Sequence, residues 1–142
     1  MLREIVSLLL RVGLGALFLY AGVVKMLDVQ GFATDIANYR AAPSFLVPLM
    51  AATLPGIEMA CGVCLLVPRT LRAAAWLTAL MLAGFTLAVA QALARDINIE
   101  CGCFGSLRDP VTVLTLARDV ALLGCAALLI WLIRDKPKWA VS

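Results

Sequence analysis

The sequence predicts an all-α fold, an integral membrane four-helix bundle, and three observations predict it. Hydrophobic residues make up 63% of the chain and charged residues only 15%, far from the roughly 45–50% apolar content of soluble proteins. Mean hydropathy is +1.00. Four apolar stretches reach the roughly 20 residues needed to cross a hydrocarbon core. They are joined by short polar segments in which proline, arginine and aspartate collect. A soluble chain of 142 residues has no interior large enough to hide so much apolar surface, so the bilayer is its solvent. The same length gives room for one domain, residues 1–142.

The first span, residues 5–27, follows Arg3 in the manner of a signal peptide. It is too long for one and lacks a small-residue cleavage site, so it reads as a retained anchor. Beyond it, Phe32, Ile36 and Tyr39 recur at helical spacing beside Asp35, Asn38 and Arg40, which predicts a short interfacial helix over residues 32–40. The second span covers residues 44–67 and stops at Pro68. The third, residues 71–93, begins after a basic turn with Arg69 and Arg72. Asp109 followed by Pro110 is a helix-start pair, a capping side chain and a ring preset for the first turn, ahead of the fourth span at residues 111–133. Gly13, Gly15, Gly22, Gly56 and Gly62 offer smooth patches for close helix approach.

Sidedness follows the Lys/Arg bias. Arg3, Arg69, Arg72, Arg134, Lys136 and Lys138 mark one side, whereas the basic residues of the other two loops are diluted by Asp28, Asp35, Asp96, Glu100 and Asp109. Both termini are expected in the cytoplasm (N-in/C-in), with the interfacial helix and the last loop in the periplasm. The net charge of +3 is spread along the chain and forms no basic patch for nucleic acid. With no histidine present, His-ligated metal, His-held haem and His-based triads are excluded.

The most specific chemical signal is Cys101-Gly102-Cys103-Phe104-Gly105, two thiols one residue apart between two apolar runs. A disulfide across so few residues closes a strained ring that is readily reduced, which suits a redox pair better than a staple. Gly102 and Gly105 supply backbone freedom, and Phe104 offers an apolar contact to a thioredoxin-like partner. Glu100 works against thiolate formation. On the oxidising, periplasmic side this pair is the candidate catalytic site. Cys61-Gly62-Val63-Cys64 has thioredoxin-type spacing, but it lies inside a span, where an apolar surrounding disfavours the thiolate and cysteine is a common small packing residue. Cys125, in the middle of the fourth span, reads the same way.

Charges within the spans carry a cost of about 2.5–3.5 kcal/mol each on insertion scales and face the bundle interior. Counting along the helices pairs Glu58 with Arg11, and puts Lys25, Arg118 and Asp119 toward the periplasmic side. Lys25, Glu58 and Arg118 are the supporting polar candidates. Lys25 and Arg118 are placed to orient a quinone carbonyl or to favour the thiolates of Cys101 and Cys103. The alternative for all of them is helix-to-helix fastening, which is the favoured role of Asp119.

Taken in order, RVGLGALFLYAGVVK at residues 11–25, residues 32–39, LPGIE at 54–58, CGCFG at 101–105 and LARD at 116–119 make the chain resemble the MauE family, within the DoxX-like group of four-span membrane proteins. CGCFG is the most specific of these. The resemblance implies a role in methylamine utilisation at the bacterial inner membrane. There, export or disulfide formation of a periplasmic client, the disulfide-rich small subunit of methylamine dehydrogenase, would be supported beside a periplasmic thioredoxin-like protein. Cys61, Cys64 and Cys125 lie outside the family signature.

Three functions follow. In the first, Cys101 and Cys103 cycle between dithiol and disulfide and pass oxidising equivalents to a periplasmic partner. In the second, Cys101 and Cys103, with Cys61 and Cys64 below them, carry a soft metal ion such as copper(I) or mercury. In the third, the chain is a membrane scaffold for a thioredoxin-like protein and performs no chemistry.

Overall fold

A computed structural model describes residues 1–95, 100–101, 109–110 and 112–134. Helices α1 (Leu2–Leu27), α2 (Val29–Tyr39), α3 (Val47–Leu66) and α4 (Leu71–Ala94) are followed by two two-residue strands, β1 (Glu100–Cys101) and β2 (Asp109–Pro110), and by α5 (Val113–Arg134). In hydrocarbon a helix satisfies its own backbone N–H and C=O groups, which is why long apolar runs close into helices there. Four of the five, all but α2, are long and apolar enough to cross a membrane. Only 28–33% of each span's apolar window is buried inside the bundle. Leu9, Tyr20, Trp76, Leu80, Leu87 and Trp131 point outward, the arrangement expected of a lipid-facing surface.

The core is thin and is built from all four long helices. Leu65 of α3, Leu71 of α4 and Leu129 of α5 are fully buried, with Leu14 and Phe18 of α1 beside them. Helix α1 packs most extensively on α3, and α4 on α5. Two backbone approaches set the α1–α3 contact. A Cβ added at Gly62 would fall 2.8 Å from the Gly15 carbonyl oxygen, and one added at Gly22 would fall 2.8 Å from the Pro55 carbonyl oxygen. Both helices therefore come closer than any side chain would permit. Gly13 and Gly56, grouped with these on sequence, meet nothing nearby.

One end of the bundle gathers the start of α1, the α3–α4 turn and the end of α5. Arg3 donates to the Leu132 carbonyl, Arg72 to the Ile133 carbonyl, and Arg11 to the Leu65 and Leu66 carbonyls at 3.2 and 3.1 Å. The last carbonyls of a helix have no partner of their own, so these guanidinium groups satisfy them and match the negative end of the helix dipole. The basic residues used to assign sidedness thus also fasten helix ends. Which end faces the cytoplasm rests on the charge bias.

The opposite end carries α2. Its start is fixed by Asp28, whose carboxylate accepts from the Gly31 N–H at 2.8 Å, and it stops at Arg40, which adopts a left-handed φ of 49°. The expected interfacial helix is present, three residues earlier in its start because Asp28 is the cap. Phe32 and Tyr39 are its buried residues.

The Asp109-Pro110 expectation is corrected. These residues pair in antiparallel fashion with β1, Glu100 opposite Pro110 and Cys101 opposite Asp109. The helix begins at Val113 instead. Thr112 and Thr115 share its start, each hydroxyl lying 3.4 Å from the other's backbone nitrogen. A proline that preorganises a first turn also suits a strand edge, because it lacks an N–H to satisfy.

Candidate functional site

Two places in the fold carry chemistry. The first is the buried charge cluster where α1, α3 and α5 meet. Lys25, in the last turn of α1, donates to Glu58 Oε1 of α3 at 2.5 Å, and the two side chains are 2% and 1% exposed. The ammonium lies 5.1 Å from the Phe32 ring centre and 4.9 Å from that of Phe85. Both distances fall within the range of a cation–π attraction. Aromatic faces thus take the place of water around a cation that has left solvent.

The expected Arg11–Glu58 pair is therefore corrected to Lys25–Glu58. The antiparallel register of α1 on α3 sets Gly15 against Gly62 and Gly22 against Pro55 and Met59. That register carries Arg11 to the end of α3 at Leu65 and Leu66, and brings Lys25 within reach of Glu58. Counting depth along each helix separately could not reveal it, because the register is decided by where the glycines let the backbones touch.

Arg118 and Asp119 form the second ion pair, Nη2 to Oδ1 at 3.2 Å. They diverge in setting, with the Arg118 side chain 44% exposed and that of Asp119 only 3%. Asp119 is the one that joins the central cluster. With Lys25, Glu58, Phe18 and Phe85 it borders a small cavity of about 20 Å³. Glu58 Oε2 and Asp119 Oδ2 are both buried with no hydrogen-bond partner among the described residues. The sequence reading gave Asp119 a fastening role and did not place it beside Lys25. Phe32 and Phe85 were also missed as ligands of the ammonium. A lysine within a span was the one signal that could have prompted a search for aromatic neighbours.

Lys25 faces a second, larger cavity of about 280 Å³, partly open and enclosed by α2, α3 and α4, with Phe32, Tyr39, Leu54, Met81 and Phe85 among its walls. Asp35 also reaches this cavity. Arg118 borders neither of the two cavities.

The second place is the segment joining α4 to α5. Cys101 sits on β1, its backbone paired with Asp109. Cys103, Gly102, Phe104 and Gly105 lie outside the described residues. The pairing draws residues 101 and 109 together.

The remaining thiols are in the bundle. Cys61 is 2% exposed and belongs to the central apolar cluster. Cys64 and Cys125 pack against that cluster from partly buried positions, and all three are free thiols. They surround themselves with hydrocarbon, an environment in which cysteine behaves as a small apolar residue.

Comparison with known proteins gives one family. The family model for methylamine utilisation protein MauE matches residues 3–132. Similar proteins named methylamine utilization protein MauE include one from Paracoccus denitrificans, 32% identical over 89% of this chain and 69% of that protein. Another, from Methylorubrum extorquens, is 30% identical over 95% of this chain and 74% of its own length. A third, from Methylophilus methylotrophus, is 36% identical over 58% of this chain and 44% of that protein. No solved structure matches the chain.

Proposed function

This chain belongs to the MauE family of membrane proteins, and we propose that it serves methylamine utilisation by supplying oxidising equivalents to a client protein through Cys101 and Cys103. The client's dithiol gives two electrons and two protons to the loop disulfide. The S–S bond of the loop breaks as an S–S bond forms in the client, and a mixed disulfide joins the two in between. The site lies in the periplasm, and the membrane is the bacterial inner membrane. A thioredoxin-like protein is the immediate partner, and a disulfide-rich dehydrogenase subunit is the client it matures.

The observation that carries this reading is the place of CGCFG in the order of the chain. It falls between the membrane helices α4 and α5, and the backbone of its first cysteine pairs with Asp109 in a short strand. Thiols meant to meet another protein need such a place. Cys61, Cys64 and Cys125, set among packed side chains, do not have it. The charge cluster supports the loop as structure, by fixing α1 to α3 in the bundle from which the α4–α5 connection emerges.

The test is Cys103→Ser with expression level verified. Thiol trapping in intact cells should find the client's cysteines reduced. Normal client oxidation in this variant would remove the proposal. A maleimide label that reaches Cys101 only after the inner membrane is opened would remove it too, because the loop would then face the cytoplasm.

A further inference from the structure

We propose that the cavity of about 280 Å³ enclosed by α2, α3 and α4 binds the head group of a lipid-soluble quinone, with the Lys25 ammonium as hydrogen-bond donor to a ring carbonyl. Four features of the cavity select this class of ligand. Its walls are almost wholly carbon, which excludes a strongly polar, water-soluble ligand. The volume lies just below the roughly 300–1,000 Å³ of typical ligand pockets, so it holds a ring with its substituents and leaves a long tail outside. Phe32 and Phe85, whose rings lie 5.1 and 4.9 Å from the Lys25 ammonium, both line the cavity and give it aromatic walls suited to a flat ring.

The fourth feature is charge. Lys25 is matched by Glu58 at 2.5 Å and Asp35 also lines the cavity, so an anion finds no net attraction, and a cation would have to sit beside the Lys25 ammonium. A neutral ligand with a hydrogen-bond acceptor is what remains. The Glu58 contact uses one of the three N–H groups that an ammonium carries. A lipid acyl chain fits the carbon walls but makes no use of the buried ion pair beside them. Taking an ammonium out of water is costly, so the presence of Lys25 on the cavity wall points to a ligand with a polar atom.

The choice of a quinone among neutral lipid-soluble acceptors rests on the thiol reading above. Each client disulfide leaves Cys101 and Cys103 as a dithiol. Restoring their disulfide releases two electrons and two protons, and a quinone that takes up both becomes the quinol. Two buried carboxylates, Glu58 and Asp119, share the adjoining cavity of about 20 Å³ with Lys25.

The experiment measures binding of decylubiquinone to the full chain in lipid nanodiscs. Gly84 lines the cavity, and a Cβ added there would meet no described atom within 4 Å. Gly84→Leu therefore adds bulk at the cavity wall from a position with room for its first carbon. Saturable binding at one site per chain is expected, weakened about tenfold or more by Gly84→Leu and by the charge-neutral double variant Lys25→Met/Glu58→Gln. No saturable binding, or equal affinity in Gly84→Leu, would overturn the proposal. So would labelling of cavity residues by a photoactivatable acyl lipid that decylubiquinone does not compete away, since the occupant would then be a lipid chain. If the double variant fails to fold, Gly84→Leu and the competition experiment decide. Client oxidation in the Cys103→Ser strain reports separately on the thiol reading, so each idea can fail without the other.

Discussion

Removing the Lys25 ammonium should be among the most damaging single changes to the stability of this bundle. In Lys25→Met the side chain keeps its length and apolar stem while the charge disappears. Glu58, 1% exposed, then loses its ion-pair partner. Its Oε2 already has no hydrogen-bond partner among the described residues, so both oxygens would be left bare in hydrocarbon. Breaking a buried pair from one side costs about 3–5 kcal/mol, whereas replacing both partners with apolar or neutral groups of similar size is often close to neutral. Lys25→Met should therefore cost about 3–5 kcal/mol, and Lys25→Met/Glu58→Gln should recover most of that loss. Glu58→Gln alone should cost less than Lys25→Met. The orphaned ammonium keeps the faces of Phe32 and Phe85 at 5.1 and 4.9 Å, each contributing on the order of 0.5–2 kcal/mol. The assay is reversible unfolding in mixed micelles by titration with sodium dodecyl sulfate, followed by tryptophan fluorescence. A cost below about 1 kcal/mol for Lys25→Met, or a double variant no more stable than the single one, would refute the reasoning.

Three further outcomes follow from packing and capping. Gly62→Ala places a methyl 2.8 Å from the Gly15 carbonyl oxygen and 2.8 Å from Leu19 Cγ; it should destabilise by about 1–3 kcal/mol, and Gly56→Ala, where nothing is nearby, should be neutral in the same titration. Arg11→Ala strips the donors from the Leu65 and Leu66 carbonyls and should cost about 1–2 kcal/mol, with faster hydrogen exchange at the end of α3. Asp28→Ala removes the cap of α2 and should cost about 1 kcal/mol, and proteolysis near residue 28 should rise; an unchanged digestion pattern would count against Asp28 as the device that starts this helix.

The fold was readable along the chain because each span is a one-dimensional feature. Residues 5–27, 44–67, 71–93 and 111–133 on sequence became Leu2–Leu27, Val47–Leu66, Leu71–Ala94 and Val113–Arg134. The helix of Phe32, Ile36 and Tyr39 was legible for the same reason, since a period of 3.6 is written into the order of residues. Asp109-Pro110 misled because a capping aspartate and a proline suit a strand edge as well as a helix start. The local sequence holds nothing that separates the two, and the pairing with Glu100 and Cys101 is a contact between segments.

What the sequence determined by itself was the solvent, the number of spans, their approximate extent and the family resemblance carried by CGCFG and the motifs around it. All of these depend on composition and local order. The partner of Glu58 was decided only by the tertiary structure. Two glycine contacts fix how far α1 slides along α3, and that offset delivers Lys25 rather than Arg11 to the carboxylate. Asp119 came into the same cluster from α5, and Phe32 and Phe85 from α2 and α4. Five helices must meet before such a site exists. Helix-to-helix register is set by the closest approach of backbones, a sum over many weak contacts that no single stretch of sequence contains.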